Sequence, residues 1–305
     1  MDVAVLFNAL LMLFGMLSIG FIAGKIRFMT EEMNKQISAF VVTVSNPLQI
    51  LSSVLSGVYP MTNVELLKLT ALMIPIYAVM IGISLLLRKL PHTEKKESDV
   101  LQFLFIFSNL GYMGYPLAEA LFGAGGTFYV TVFVLAFQLV CWTYGVYLLS
   151  GDVKALSLRS FVSPCIIAAL LAYFLYFTRI PCPSFLYKII YQVGSVTSPL
   201  AMMIIGCSLA YMKAGQIFGK WQVYLVAFFR MLVMPLLFGL VLKQFMKDQV
   251  MLSVSLILLS MPSGTNATIM SYRFGADEKM ASAGVFLTTL LSVGTVPLIM
   301  SILFR

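Results

Sequence analysis

Charged residues and histidine are scarce in this sequence. Asp, Glu, Lys and Arg make up only 10% of its 305 residues, whereas soluble domains carry about 25%. The single histidine, His92, lies in a polar segment at 88–99, which leaves almost no material for a histidine-based metal site or a Ser-His-Asp triad. The four cysteines lack CxxC spacing and lie in or beside apolar runs, which does not favour a disulfide scaffold. We therefore expect no catalytic residues, no metal and no cofactor.

The chain also lacks any clustering of its positive charge. Its net charge of +8 comes from Lys and Arg residues scattered singly between apolar runs, whereas a nucleic-acid-binding protein gathers them on one face. We expect no nucleic-acid partner. The N-terminal Met1-Asp2 has no positive region before the first apolar run, so that run is predicted to be a retained helix rather than a signal peptide.

Apolar residues are abundant instead. They form 60% of the chain, with a mean hydropathy of +0.97, which is too much apolar surface for one water-soluble core. About 20 apolar residues cross a bilayer as a helix, and this length predicts an all-α membrane protein with ten transmembrane helices. The predicted spans are Val3–Gly24, Met33–Ser56, Leu66–Leu87, Val100–Phe122, Thr127–Ser150, Val162–Thr178, Leu186–Met212, Gln222–Leu242, Val250–Tyr272 and Ala281–Phe304.

An internal repeat divides the spans into two sets of five. A shift of 152 residues superimposes Phe122-Gly123-Ala124 on Phe274-Gly275-Ala276 and Pro47 on Pro199. Because five is odd, two similar halves must cross the membrane in opposite directions, and such inverted repeats are typical of secondary transporters. We expect a first five-helix repeat at 1–150, a short connecting loop at 151–160 and a second repeat at 161–305.

The distribution of Lys and Arg predicts the orientation. Most of them lie in loops that follow odd-numbered spans. Loops rich in Lys and Arg face the cytoplasm. We therefore expect a multi-pass protein of the cell membrane with both termini outside.

Spans four and nine contain breaks in the helical pattern. Segments 108–116 and 260–268 place Gly, Pro, Asn, Ser and Thr at mid-membrane depth, where proline removes a hydrogen bond and glycine loosens the backbone. Freed backbone groups are tolerated there only against protein or water, and helix N-termini attract anions. These segments therefore either line a polar cavity that binds a carboxylate or mark simple kinks. The candidate cavity residues are Asn109, Gly111, Gly114, Pro116, Pro262, Gly264, Thr265 and Asn266.

Two charged residues lie well inside spans. Arg230 in span eight would cost at least about 2.5–3.5 kcal/mol to insert, so it either attracts an anionic substrate, snorkels to the interface, or pairs with carbonyls of a broken helix. Glu119 in span four either touches headgroup water near a helix end or carries a proton. The pattern leaves the three alternatives for Arg230 and the two for Glu119 open.

These motifs resemble the auxin efflux carrier family, which includes plant PIN exporters and bacterial permeases for malate or malonate. Asn109, Met113, Gly114 and Pro116 follow the pattern N-x-x-x-M-G-x-P of its fourth helix. Residues 261–264 resemble its ninth-helix break, and Arg230 with Pro235 resembles its eighth-helix pattern.

The resemblance implies a scaffold of helices one, two, six and seven, with crossed helices four and nine in a moving transport domain. It also implies elevator-type transport, a homodimer formed through the scaffold, and an organic anion held by Asn109 and the backbone near Pro116 and 262–266. The short segment 151–160 lacks the long loop of the long plant exporters, so the bacterial-type permease is the better match.

Three functions fit these features. The first is a secondary carrier of a small organic anion, either a monocarboxylate or dicarboxylate and either auxin-like or malate/malonate-like. Since the sequence has no nucleotide-binding loop, ATP does not drive it within this chain. The second is a sodium-coupled symporter of the same architecture, with neutral oxygen ligands at Ser108, Asn109, Thr265 and Asn266. The third is a membrane sensor or structural subunit that binds an anion without moving it.

Overall fold

The computed structural model describes residues 3–155, 163–212 and 220–304. Throughout these ranges the regular structure is helical, and a lone antiparallel bridge between Ser108 and Ser263 stands in place of any strand. The α-helices are α1 Val3–Lys25, α2 Glu31–Phe40, α3 Asn46–Leu55, α4 Asn63–Ser84, α5 Lys95–Ile106, α6 Tyr115–Val140, α7 Val146–Ser150, α8 Pro164–Thr178, α9 Ser184–Ser195, α10 Thr197–Tyr211, α11 Trp221–Phe228, α12 Met234–Phe245, α13 Gln249–Leu259, α14 Asn266–Phe274 and α15 Glu278–Leu303.

Seven helical segments of the described chain are long and apolar enough to cross a membrane. They are Phe7–Lys25, Glu31–Leu55, Asn63–Lys89, Gly125–Ser150, Ser184–Tyr211, Trp221–Phe245 and Glu278–Leu303. The expectation of an all-helical protein with several membrane-crossing helices is confirmed.

Predicted spans four, six and nine are not among the seven. Spans four and nine are each interrupted in the middle, and α8 at span six has only 15 residues. The total of ten therefore stays a prediction. The start of span six at Val162 and most of the connecting loop, from residue 156 onwards, lie outside the described residues.

Short π-helical turns precede three of the prolines in the spans. Val41–Ser45 comes before Pro47, Leu110–Gly114 before Pro116, and Phe229–Val233 before Pro235. Proline lacks the N–H that would satisfy a carbonyl of the preceding turn, and a widened turn redistributes the remaining hydrogen bonds where no bulk water is present. These prolines therefore mark local departures from the α-helix.

Gly123 ends the predicted fourth span. Its backbone has φ 62° and ψ −153°, so it bends α6 between Phe122 and the longer helical part that follows. A side chain at this left-handed φ would be strained. The bend separates a short helix on the far side of the span-four break from the fifth apolar helix.

Helices from the two halves of the sequence pack directly on one another. α1 crosses α10 at two glycines, where a Cβ on Gly20 would overlap the backbone of Met203 and one on Gly206 would overlap that of Leu17. Small residues permit such close approach between helices in membranes. α3 packs in turn on α8 and α9. The two sequence halves are thus intertwined, and their broken segments meet in the interior.

Candidate functional site

The breaks in spans four and nine cross and bind each other through their backbones. Asn109 N donates to Pro262 O at 2.8 Å, and Gly264 N donates to Phe107 O at 2.9 Å. Gly264 has to be small, because a Cβ there would lie 3.0 Å from Ser108 O. Backbone groups released by the two breaks are therefore satisfied by each other, as a buried chain requires.

Ser263 anchors this crossing to its neighbours. Its Oγ donates to Leu104 O at 2.7 Å near the end of α5, and its N–H donates to Thr288 Oγ1 at 3.1 Å in α15. Both serine and threonine are fully buried. Sequence reasoning missed this role, since Ser263 was only one polar residue of the break and Thr288 carried no motif.

Several polar side chains around the crossing lack hydrogen-bond partners within the described chain. They include Asn109 Nδ2, Thr265 Oγ1 and Asn46 Oδ1. Asn109 is 3% exposed, and Asn46 Nδ2 lies 3.6 Å from where a Cβ on Gly111 would stand. Buried polar atoms are rarely left unpaired unless water or a ligand meets them. Asn46 was not predicted, although it directly precedes Pro47, which the repeat analysis had singled out.

Helical turns begin immediately after each crossing segment. One starts at Leu110 after Asn109, and the other is α14, which starts at Asn266 after Thr265. The first N–H groups of a helix lack intrahelical partners and carry partial positive charge. The Asn109 amide donor and two helix starts thus lie at one crossing, a combination that suits a carboxylate.

The other predicted residues of span four have different surroundings. Gly114 is buried, and a Cβ there would approach Leu258 Cδ2 to 2.7 Å, so this glycine allows close packing between spans four and nine. Gly111 and Pro116 are half-buried along the same segment. The structure brings Asn109 into contact with Pro262, and Gly264 into contact with Phe107, whereas Gly111 and Pro116 follow along the chain.

Arg230 lies behind the crossing, in the widened turn of span eight. It is 1% exposed, and its Nη2 donates to Met261 O at 3.4 Å. It lines a small pocket together with Tyr77 and Ser108. Its Nε has no partner among the residues described. The one ion pair among those residues joins Lys220 to Glu97 and does not involve Arg230. Of the predicted alternatives, the structure shows contact with a carbonyl of the broken helix and not snorkelling.

Glu119 lies away from the crossing. It is half-buried and accepts a hydrogen bond from the Tyr191 hydroxyl at 2.8 Å. The polar pocket around it is lined by Gln49, Ser52, Ser53, Glu119, Thr127, Tyr187, Tyr191 and Ser195. Sequence reasoning did not identify this pocket, because its residues come from α3, α6 and α9 and share no motif.

Comparison with known proteins assigns the chain to a family. The family model described as "Membrane transport protein" matches residues 5–156 and 152–300. The chain is 27% identical over 286 residues to an uncharacterized transporter of Methanocaldococcus jannaschii, covering 90% of this chain and 91% of that protein.

A second similar protein comes from Rhizobium meliloti and is named "Putative malonate transporter". It is 24% identical over 232 residues, covering 72% of this chain and 71% of that protein. The family match spans nearly the whole sequence and includes both segments that form the crossing. The chain is therefore a multi-pass membrane transport protein that belongs to the auxin efflux carrier family.

Proposed function

We propose that this protein is a secondary active carrier of small organic anions, with the substrate carboxylate bound at the crossing of spans four and nine. The observation that carries the proposal is the buried Nδ2 of Asn109, which has no hydrogen-bond partner among the described residues and lies beside two helix starts. An amide donor and the N–H groups at the start of a helix bind a carboxylate as neutral hydrogen-bond donors. In this proposal the site is shaped by the residues of the two breaks, namely Gly111, Gly114, Pro116, Pro262, Gly264, Thr265 and Asn266. Arg230 supplies a positive charge from its contact with Met261 O.

The substrate class follows from the donor set and from one relative. A protein named for malonate transport is similar over 72% of this chain, and the helix starts accept either a monocarboxylate or a dicarboxylate. We take malonate as the first probe, with an auxin-like aromatic acid as the second. No feature of the site requires a cofactor.

The repeat supports an alternating-access mechanism. Gly123 and Gly275 have φ of 62° and 69°, and Arg27 and Arg179 have φ of 58° and 54°. The members of each pair are 152 residues apart, which is the shift found in the sequence. Positive φ values at equivalent positions favour ten spans in two inverted sets of five, built from 1–150 and 161–305 around the connection at 151–160.

In this proposal α1–α3 and α8–α10 form the scaffold, which pairs with a second copy, and the crossing moves past them as an elevator. The protein lies in the cell membrane with both termini on the outer side. The alternative of a sodium-coupled symporter draws on the unpartnered oxygens of Thr265 and Asn46. A non-transporting sensor is the third candidate, and it would bind the anion without exchanging it.

The test is counterflow of radiolabelled malonate in proteoliposomes. We expect Asn109→Ala to lose most of the exchange while melting close to the parent protein, because the variant removes a donor that has no partner in the described part of the chain. The control is Asn63→Ala, at an exposed asparagine at the start of α4, which should exchange like the parent. Unchanged exchange by Asn109→Ala would disprove the crossing as the binding site. Binding of malonate without exchange would favour the sensor.

A further inference from the structure

The two helices that end at the crossing differ in what satisfies their terminal carbonyls. At the end of α5, Leu104 O accepts from Ser263 Oγ and Phe107 O accepts from Gly264 N, both neutral donors. Beyond the end of α13, Met261 O accepts from the Arg230 guanidinium. One of the two helix ends is therefore met by a full positive charge and the other is not.

In transporters built from broken helices, the end of a broken helix commonly binds a cation. Helix starts face the anionic substrate, whereas half-helix ends and unwound carbonyls hold the coupling cation. The partial negative charge at a helix end favours a cation there. In this chain the guanidinium of Arg230 occupies such a position, and arginine stays protonated at any pH a protein survives.

Two further carbonyls at the crossing also accept hydrogen bonds from neutral donors. Ser108 O accepts from Leu110 N at 3.0 Å, and Pro262 O accepts from Asn109 N at 2.8 Å. Ser108 follows Phe107, whose carbonyl accepts from Gly264 N. Pro262 follows Met261, whose carbonyl accepts from Arg230. A sodium ion binds through oxygen ligands, and each of these carbonyls already has one of its two lone pairs engaged by a donor, which leaves it less available to a cation.

Within the described chain the charge of Arg230 is not cancelled. No carboxylate there lies within ion-pair distance of it. The counterpart of Arg230 in the first repeat, 152 positions earlier, is Ala78, so the repeat does not supply a second cation. Tyr77, next to Ala78, lines the same pocket as Arg230. An uncompensated buried charge is costly and usually functional, and the anion bound at the crossing is the partner that this architecture offers.

We infer that Arg230 is a built-in monovalent cation at the end of α13, so that this carrier moves its anion without a coupling sodium ion. The inference rests on the proposed carrier function and decides between the two coupling modes. It makes Arg230 a positioning residue that stabilises the crossing and supplies the counter-charge, rather than a group that must touch the substrate.

The test uses thermal unfolding of the purified protein, because this readout needs no knowledge of the substrate. We expect the parent protein to melt at the same temperature in NaCl, KCl and choline chloride of equal ionic strength. Arg230→Gln should melt several degrees lower, and millimolar guanidinium or sodium should raise its melting temperature but not that of the parent, since a ligand stabilises only a protein that binds it. Arg230→Lys should keep the charge and stay insensitive to added cations.

Tyr77→Phe is the matched control, since it removes a polar group of the same pocket without changing the charge, and it should behave like the parent. A sodium-specific rise in the melting temperature of the parent would overturn the inference. So would an Arg230→Gln protein as stable as the parent and indifferent to cations. If Arg230→Gln yields no folded protein, the parent and Arg230→Lys decide, because sodium-dependent melting of either contradicts the inference.

Malonate counterflow in sodium and in choline media then completes the test. Equal exchange in both media supports the inference, and exchange that requires sodium overturns it. A complete lack of exchange with malonate and with the auxin-like acid would count against the proposed function, while the melting experiment would still test the role of Arg230.

Discussion

Thr197 donates its hydroxyl hydrogen to Ser45 at an Oγ1–Oγ distance of 2.9 Å, and the two residues are 152 positions apart. This separation equals the shift that superimposes the two halves of the sequence. In a pair of repeats related by a two-fold axis, a residue touches its own counterpart only when both lie on the axis. If the two halves are related by such an axis, it passes near the buried contact between the π-helical turn Val41–Ser45 in span two and the start of α10 in span seven.

This junction provides a test of the elevator mechanism. Ser45 and Thr197 both belong to the proposed scaffold, so cross-linking Ser45→Cys to Thr197→Cys with mercury in a cysteine-free background should leave malonate exchange intact. Glu119 and Tyr191 form a hydrogen bond between the proposed moving part and the proposed scaffold, so joining cysteines at those two positions with a longer bifunctional thiol reagent should stop exchange. Exchange that survives the second cross-link would contradict movement of span four past α9.

The close approach at Gly264 predicts sensitivity to a single methyl group. In Gly264→Ala the Cβ would lie 3.0 Å from Ser108 O, so the two crossing segments must separate slightly, at a cost of about 1–3 kcal/mol. We expect a lower melting temperature and weaker malonate exchange. Gly82→Ala is the control, because Gly82 lies in α4 with open space around it, and alanine there should be neutral or stabilising by about 0.5–1 kcal/mol. Equal melting temperatures for the two variants would refute the close approach.

Glu119 can be tested separately from the crossing. Its carboxylate is half-buried and accepts a hydrogen bond from Tyr191, an arrangement that does not need proton exchange with the substrate site. We expect Glu119→Gln to retain malonate exchange and to respond to an imposed pH gradient as the parent does. Tyr191→Phe removes the same hydrogen bond and keeps the carboxylate, which separates the loss of the contact from the loss of the charge. A pH response abolished only in Glu119→Gln would identify Glu119 as the proton carrier.

A carrier with a built-in cation should respond to membrane voltage through its substrate. Moving one elementary charge across 100 mV is worth about 2.3 kcal/mol, and malonate at neutral pH carries two. An inside-positive potential, imposed with valinomycin and a potassium gradient, should therefore drive malonate accumulation in proteoliposomes free of sodium. Reversing the gradient is the control and should suppress uptake. Accumulation that ignores the potential and needs sodium would favour the symporter.

Local composition predicted where the two helices are interrupted, because the breaks themselves are local. Proline and glycine at mid-membrane depth disrupt a helix wherever it packs, so segments 108–116 and 260–268 were recognisable without any partner. The shared Phe-Gly-Ala motif was also informative, since both of its glycines, Gly123 and Gly275, have the left-handed φ that favours glycine. The total of ten spans was less secure, because a broken helix no longer meets the length of a continuous span.

What the sequence by itself determined is the membrane-embedded helical class, the position of the breaks and the family, because hydropathy and proline act on the residues next to them. Only the tertiary structure decided which groups share a contact. It paired Asn109 with Pro262, directed Arg230 to Met261 O, and placed Glu119 against Tyr191 and away from the crossing. These contacts join residues between 31 and 153 positions apart. They depend on how whole helices cross, and no local pattern encodes that arrangement.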